Sequence, residues 1–264
     1  TLRTLFPYTT LFRSANDVYY FPTREMGFYN ADAVSGDLRW ERLKVMKKIT
    51  ESGKKIIITC IEALAATYMP IDLMEKYIFK LAVGSVLNIN AFSEKLIECG
   101  YERADRVDTK GQFSIRGGII DLYPPISALP FRIELYDDEI DSIRTFNSET
   151  QRSIDKVAEI DIFPAKEMIL TQEIRKSGYD KIKEDLNNVI GSFSKKKDKE
   201  VIKKITSLVN ANLESLKETW SFKDIDSYMP YFYDAPSTFL DYMKESFIVV
   251  DDARSEEHTS ELQS

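Results

Sequence analysis

The sequence predicts an α/β fold: an α/β layer interrupted by an inserted, mainly antiparallel α+β module. Three observations predict it. A strand, helix, strand order opens the chain; from about Tyr77 to Ile160 one helix is followed by short strands with no helix between them; helices return from residue 171 onward. Taken in order, DVYYF (residues 17–21) and KIIITC (55–60) are β-branched or aromatic runs bounded by turn residues, and read as buried parallel strands. Between them, Leu38, Arg39, Trp40, Arg42, Leu43, Val45, Met46 and Ile49 fall within an amphipathic helix that stops at Gly53. The module opens with a helix over 90–99, ended by Gly100, and continues with strands over 101–108, 112–116, 118–123, 131–136 and 139–146. The stretch 171–243 reads as mainly helical, and FIVVDD (247–252) carries one more buried-strand signal.

Charge and composition remove several functions. The 264 residues hold 36 Lys+Arg against 43 Asp+Glu, a net charge of -7, which argues against a whole-surface footprint for nucleic acid while leaving room for a local basic patch. Cys60 and Cys99 sit in hydrophobic runs and form no CxxC pair, so they read as buried reduced thiols and not as a disulfide or zinc site. No apolar run is long enough to predict a membrane helix.

The two ends differ from the body in texture. Residues 1–14 and 254–264 lack helical or strand periodicity, and TLFPYTTLFRS and RSEEHTSELQS resemble in-frame translations of sequencing-library adapters; both are expected to be non-native. Setting them aside removes Arg3, Arg13 and Arg254 together with Glu256, Glu257 and Glu261, so the charge of 15–253 stays at -7. It also removes His258, the one histidine. A body without histidine excludes a Ser-His-Asp or Cys-His arrangement and any histidine-ligated metal.

Phosphate binding fails on spacing. The Gly53-Lys54 pair has Lys48 where a Walker loop needs its first glycine and Lys55 where it needs Ser or Thr. Gly117 and Gly118 lie between two strands, with no following helix to make a dinucleotide site, and read as a bend. Asp137, Asp138, Glu139 and Asp141 cluster at a hairpin tip and read as solvated turn formers. The Lys195–Lys199 run, interleaved with acid and lacking aromatics, reads as the solvated start of a helix.

Alternation inside the strands is more informative. Phe131, Ile133 and Leu135 share one face, and Arg132, Glu134 and Tyr136 the other; Phe113 and Ile115 oppose Gln112, Ser114 and Arg116. If both strands bury their apolar faces in one core, Arg116, Arg132 and Tyr136 point outward together. Arg and Tyr are the residue types enriched in binding hot spots, although an ordinary polar face with cross-strand pairs would show the same spacing.

Several stretches also carry a family resemblance. DVYYFPTRE, SGDLRWERLKVMKKI, IIITCIEAL, and above all GYERADRVDTKGQFSIRGGIIDLYPP with PFRIELYDDEIDSIRTFNSETQRSI, are similar to the N-terminal region of the bacterial transcription-repair coupling factors, the Mfd family, over essentially all of 15–253. The resemblance implies a degenerate helicase-like α/β domain split into 1A (15–77) and 1B (161–253), around an inserted domain 2 (78–160) that binds the excision-repair protein UvrA. It implies three partner-binding residues: Arg116 in the family's RG turn, Arg132 in its P-aromatic-R step, and Tyr136 where the family usually carries Phe. It further implies an adaptor without catalytic residues, metal or cofactor of its own in the bacterial cytoplasm. ATP, magnesium, RNA polymerase and double-stranded DNA are expected only for motor and polymerase-binding domains that the family places C-terminal to this stretch. A fragment of the related UvrB is the alternative, but its damage-probing hairpin would need more residues than lie between Tyr20 and Ile56. A direct DNA-binding module, working through the basic stretch 195–204, is a further one.

Overall fold

In the computed structural model, strand β1 (Val18–Tyr20) lies parallel to β2 (Ile56–Ile58), and helix α1 (Asp32–Thr50) makes the connection. This is the strand, helix, strand unit that the hydrophobic pattern predicts. The structure describes residues 18–24, 32–193, 199–243 and 246–250. The adapter-like ends, His258 and residues 195–198 of the lysine run therefore lie outside the described residues. Helix α1 buries Leu43, Val45 and Met46 as expected, and it also buries Arg42.

Three short elements follow: α2 (Ile61–Ala65), β3 (Thr67–Tyr68) and α3 (Ile71–Lys76). The chain then enters the module through β4 (Phe79–Ala82) and α4 (Ile89–Glu98). Asn88 caps α4 by accepting the Ala91 amide at 3.0 Å, and Phe92 and Leu96, four residues apart, turn inward. The predicted stop at Gly100 is a left-handed one, with φ +84°. The Tyr101 amide reaches back to the Leu96 carbonyl and the Gly100 amide to that of Ile97, both at 2.9 Å, which satisfies the last carbonyls of the helix.

The sheet of the module has six strands in the order β10-β9-β8-β7-β6-β5: β5 (Glu102–Arg103), β6 (Gln112–Arg116), β7 (Ile119–Leu122), β8 (Phe131–Tyr136), β9 (Glu139–Phe146) and β10 (Ser153–Val157). All neighbours are antiparallel except β5 and β6. The predicted strand over 101–108 shrinks to two residues, because the chain after Arg103 leaves the sheet edge to fold over one face. Gly117 and Gly118 form the tight turn between β6 and β7; Gly117 has φ +61°, and a Cβ on Gly118 would stand 3.0 Å from the Leu135 carbonyl oxygen. Strand β11 (Glu159–Ile162) pairs antiparallel with β4, so the exit of the module lies beside its entrance.

Helices α5 (Gln172–Phe193) and α6 (Lys199–Thr219), a short α7 (Met229–Phe232) and β12 (Ser237–Thr238) are the remaining α-helices and strands among the described residues. Strand β12 pairs with β3, bringing the last elements back to the first part. FIVVDD departs from expectation: residues 246–250 form no strand, Phe247 and Val249 are almost fully exposed, and 251–252 lie outside the described residues. β-branched residues carry a propensity, but a strand also needs a neighbour's unpaired backbone groups, and none of the described strands supplies them here. Cys99 is buried as expected, with burial pushing its thiol up to about 12, whereas Cys60 is half-buried at the start of α2.

A carboxylate joins these parts. Phe163 to Leu170, leaving β11, is irregular yet mostly buried, and its backbone is satisfied from outside: the Ala165 amide donates to Cys99, the Tyr101 hydroxyl donates to the Phe163 carbonyl, and the Tyr233 hydroxyl donates to that of Ile169. Within it, Glu167 accepts two bonds from Arg42, at 2.5 and 2.8 Å, and two from Arg24, at 3.1 and 2.9 Å. Arg42 also donates to the Pro22 carbonyl and lies 4.2 Å over the Phe21 ring, while Arg24 donates to the Thr67 carbonyl. Burial by itself would raise the Glu167 pKa; the hydrogen bonds from Arg42 and the charges of both arginines outweigh it and hold the carboxyl below its ordinary value.

Removing this carboxylate leaves a buried guanidinium unpaired, so Glu167→Ala is expected to cost about 3–5 kcal/mol in urea unfolding. Because the folded pKa is depressed, the stabilisation is present above the unfolded value and is lost as pH falls through the folded one. The stability gap between wild type and Glu167→Gln should therefore narrow in acid.

Candidate protein-docking face

Cross-strand pairing builds the face in rows. Arg116, Ile119, Glu134 and Ser142 lie opposite one another on β6 to β9, and Ser114, Asp121, Arg132, Arg144 and Lys156 form the next row across to β10. The other side of the sheet is apolar: Ile115, Ile120, Ile133, Ile143 and Val157 share a row, and the middle three are buried. Both faces thus follow the alternation read from the sequence.

Asp121 organises the polar side. It stands between Ser114 and Arg132 and is only 1% exposed. Its Oδ1 accepts Arg132 Nε at 2.7 Å, while Oδ2 accepts Arg132 Nη2 at 2.9 Å and Arg116 Nη2 at 2.7 Å. Opposite charges directly across a ladder, with two parallel bonds, make a fixed fork. Hydrogen bonding to Asp121 raises the Arg132 pKa. The next acid along β8 is also engaged: Glu134 accepts the Ser142 hydroxyl at 2.8 Å and pairs with Arg144 at 3.4 Å.

One end of the face is covered. Phe146 has the parity of Arg132 and would be exposed on an open sheet, but it is fully buried. The segments around residues 104–111 and 147–152 fold over it: Arg106 donates to the Ser148 and Glu149 carbonyls, Gln151 donates to that of Val107, and the Arg132 guanidinium lies 4.7 Å over the Phe146 ring. Arg132 therefore sits at the boundary, with its side chain 18% exposed, whereas that of Arg116 is 55% exposed on the open side. Tyr136 lies further out on the same face of β8, 78% exposed beside the β8–β9 turn, where Asp137 takes φ +54°.

The structure thus brings Arg116 and Arg132 together on one carboxylate. Tyr136 stands apart from Arg132, four residues along the strand, or about 13 Å. Sequence reasoning did not find Asp121. A signal for it existed: a single acid inside the apolar run Ile119, Ile120, Leu122, at the parity that puts it among the outward residues. Among the described residues, no group of three or more His, Cys, Asp or Glu could hold a metal ion.

Comparison with known proteins bears on this face. Residues 79–168, which contain the whole sheet, match the family described as the UvrB interaction domain. Over 246 residues the chain is 34% identical to the transcription-repair-coupling factor of Bacillus subtilis, covering 93% of this chain and 21% of that protein. Over 262 residues it is 33% identical to the transcription-repair-coupling factor of Staphylococcus aureus strain USA300, covering 95% of this chain and again 21% of the relative. The chain spans about a fifth of the length of these curated relatives.

Replacing the organising acid separates it from the arginines it holds. Asp121→Ala is expected to lower the unfolding free energy by about 1–3 kcal/mol, because the partner left behind at the covered end loses its acceptor. Arg116→Ala, on the open side, should cost at most about 1 kcal/mol. Chemical denaturation of both variants checks the ordering.

Proposed function

We propose that this chain, a relative of the transcription-repair-coupling factors that carries a UvrB interaction domain, recruits the excision-repair protein UvrA through the open half of the module's sheet, with Arg116, Arg132 and Tyr136 as its contacts. The observation that supports this most is the arginine pair anchored on Asp121 inside the matched stretch. A guanidinium has five N–H donors in a planar fork, and Asp121 engages Arg116 through Nη2, so the rest of that fork can meet a carboxylate or carbonyl of a partner. Anchoring also lowers the entropy lost when the partner arrives. Tyr136 adds a rigid, exposed ring with a polar tip, a residue type common at the centre of protein interfaces.

In this reading the α/β part, 1A (15–77) and 1B (161–253), carries the docking domain (78–160) and performs no catalysis. In the same reading, ATP and magnesium, translocation on double-stranded DNA and displacement of stalled RNA polymerase are left to parts of such a protein outside this stretch. The setting is transcription-coupled excision repair in the bacterial cytoplasm, and among the described residues no helix is long and apolar enough to cross a membrane.

A calorimetric titration of this chain with purified UvrA tests the assignment. Arg116→Ala and Tyr136→Ala alter exposed side chains, and each is expected to weaken binding by about 1–2 kcal/mol with little change in thermal unfolding. Arg132→Ala should weaken binding at least as much, with some loss of stability through Asp121. Wild-type affinity in all three would overturn the reading.

A further inference from the structure

We infer that the docking face extends beyond the two arginines and Tyr136 into an apolar arc formed by Ile119, Tyr136 and Val86, with Val86 as a contact residue supplied by the entrance loop of the module. The inference rests on the docking reading above and concerns the shape and chemistry of the same surface.

The argument is one of register. After β4 the chain runs back along the β8–β9 hairpin: the Gly84 amide donates to the Ile140 carbonyl at 2.8 Å, the Ile140 amide donates to that of Ser85 at 2.9 Å, and the Leu87 amide donates to that of Asp138 at 2.7 Å. Val86 thereby pairs antiparallel with Glu139, and Glu139 pairs with Tyr136 on its other side. Residues directly opposite in antiparallel ladders project to the same face, so Tyr136, Glu139 and Val86 form a third row beside Arg116, Ile119, Glu134 and Ser142. Val86 is 72% exposed and Ile119 is 39% exposed.

Single exposed apolar residues are ordinary on a protein surface. These differ in lying on the face that carries the arginine pair, Ile119 directly across from Arg116 and Tyr136 and Val86 on either side of Glu139, and in being held by backbone hydrogen bonds rather than carried on a loose loop. An arginine contact gains strength when its surroundings exclude water, and apolar neighbours at the rim do this. The covered end of the sheet, over Phe146, cannot extend the contact in that direction. The open end, with Tyr136, Val86 and Ile119, can. The matching surface on UvrA should therefore present an acceptor for Arg116 bordered by apolar side chains that meet the arc.

Titration of purified UvrA with Val86→Asp, Val86→Ile and Arg116→Glu variants of this chain tests the arc. Val86→Asp is expected to weaken binding about tenfold or more with unchanged thermal unfolding, while Val86→Ile binds like wild type. The Arg116→Glu effect should shrink at raised salt by screening. If Val86→Asp binds like wild type while Arg116→Glu is weakened, the arc is overturned and the docking reading stands. If both bind like wild type, the docking reading falls and the arc with it.

Discussion

The carboxylate of Glu167 is the constraint on which the arrangement of this molecule depends. It lies just beyond the exit of the inserted module and accepts hydrogen bonds from arginines 143 and 125 residues earlier, one beyond β1 and one inside α1. Taking these charges out of water is costly, and the cost is recovered only when each partner is in place. Any other packing of α1 would strand the Arg42 guanidinium in the core. The aromatic residues around it, Phe21 and Tyr68, complete the site with their ring faces and the Tyr68 hydroxyl. The first part of the chain and the segment that follows the module are therefore bound by one polar knot inside an otherwise apolar core.

That knot gives the module a firm base. Its entrance and exit strands, β4 and β11, pair with each other, and the segment beyond β11 runs directly to Glu167. The far side of the six-stranded sheet then faces outward on a supported frame. The same physical device recurs there on a smaller scale: a buried acid, Asp121, held by two arginines from neighbouring strands. In the core the arginines are consumed by their acid. On the sheet one of them keeps more than half of its side chain in solvent, and this difference makes the second cluster available to a partner.

Much of the fold was legible in the sequence because it rests on short-range periodicity. The strand, helix, strand opening, the helix stopped by Gly100 and the hairpins around 116–119 and 136–139 all follow from local apolar spacing and turn chemistry. The outward placement of Arg116, Arg132 and Tyr136 was legible for the same reason, since side chains alternate along a strand. FIVVDD failed because a strand signal is half of a pairing. The strand over 101–108 was overextended because nothing local says where a chain leaves a sheet edge. Arg42 read as one more polar residue on an amphipathic helix; its burial depends on an acid 125 residues away.

By itself, then, the sequence determined the opening strand, helix, strand unit, the helix before Gly100 and the central strands of the module, which faces of them are apolar, and that the body contains no histidine. Those properties are local, set by side-chain spacing, backbone preference and composition. Only the tertiary structure decided which charges meet. It put Glu167 between Arg24 and Arg42, Asp121 between Arg116 and Arg132, and Val86 in register with Tyr136 across Glu139. Each of these depends on the register of segments far apart in the chain, and register is fixed by the simultaneous burial of many side chains rather than by any one stretch of residues.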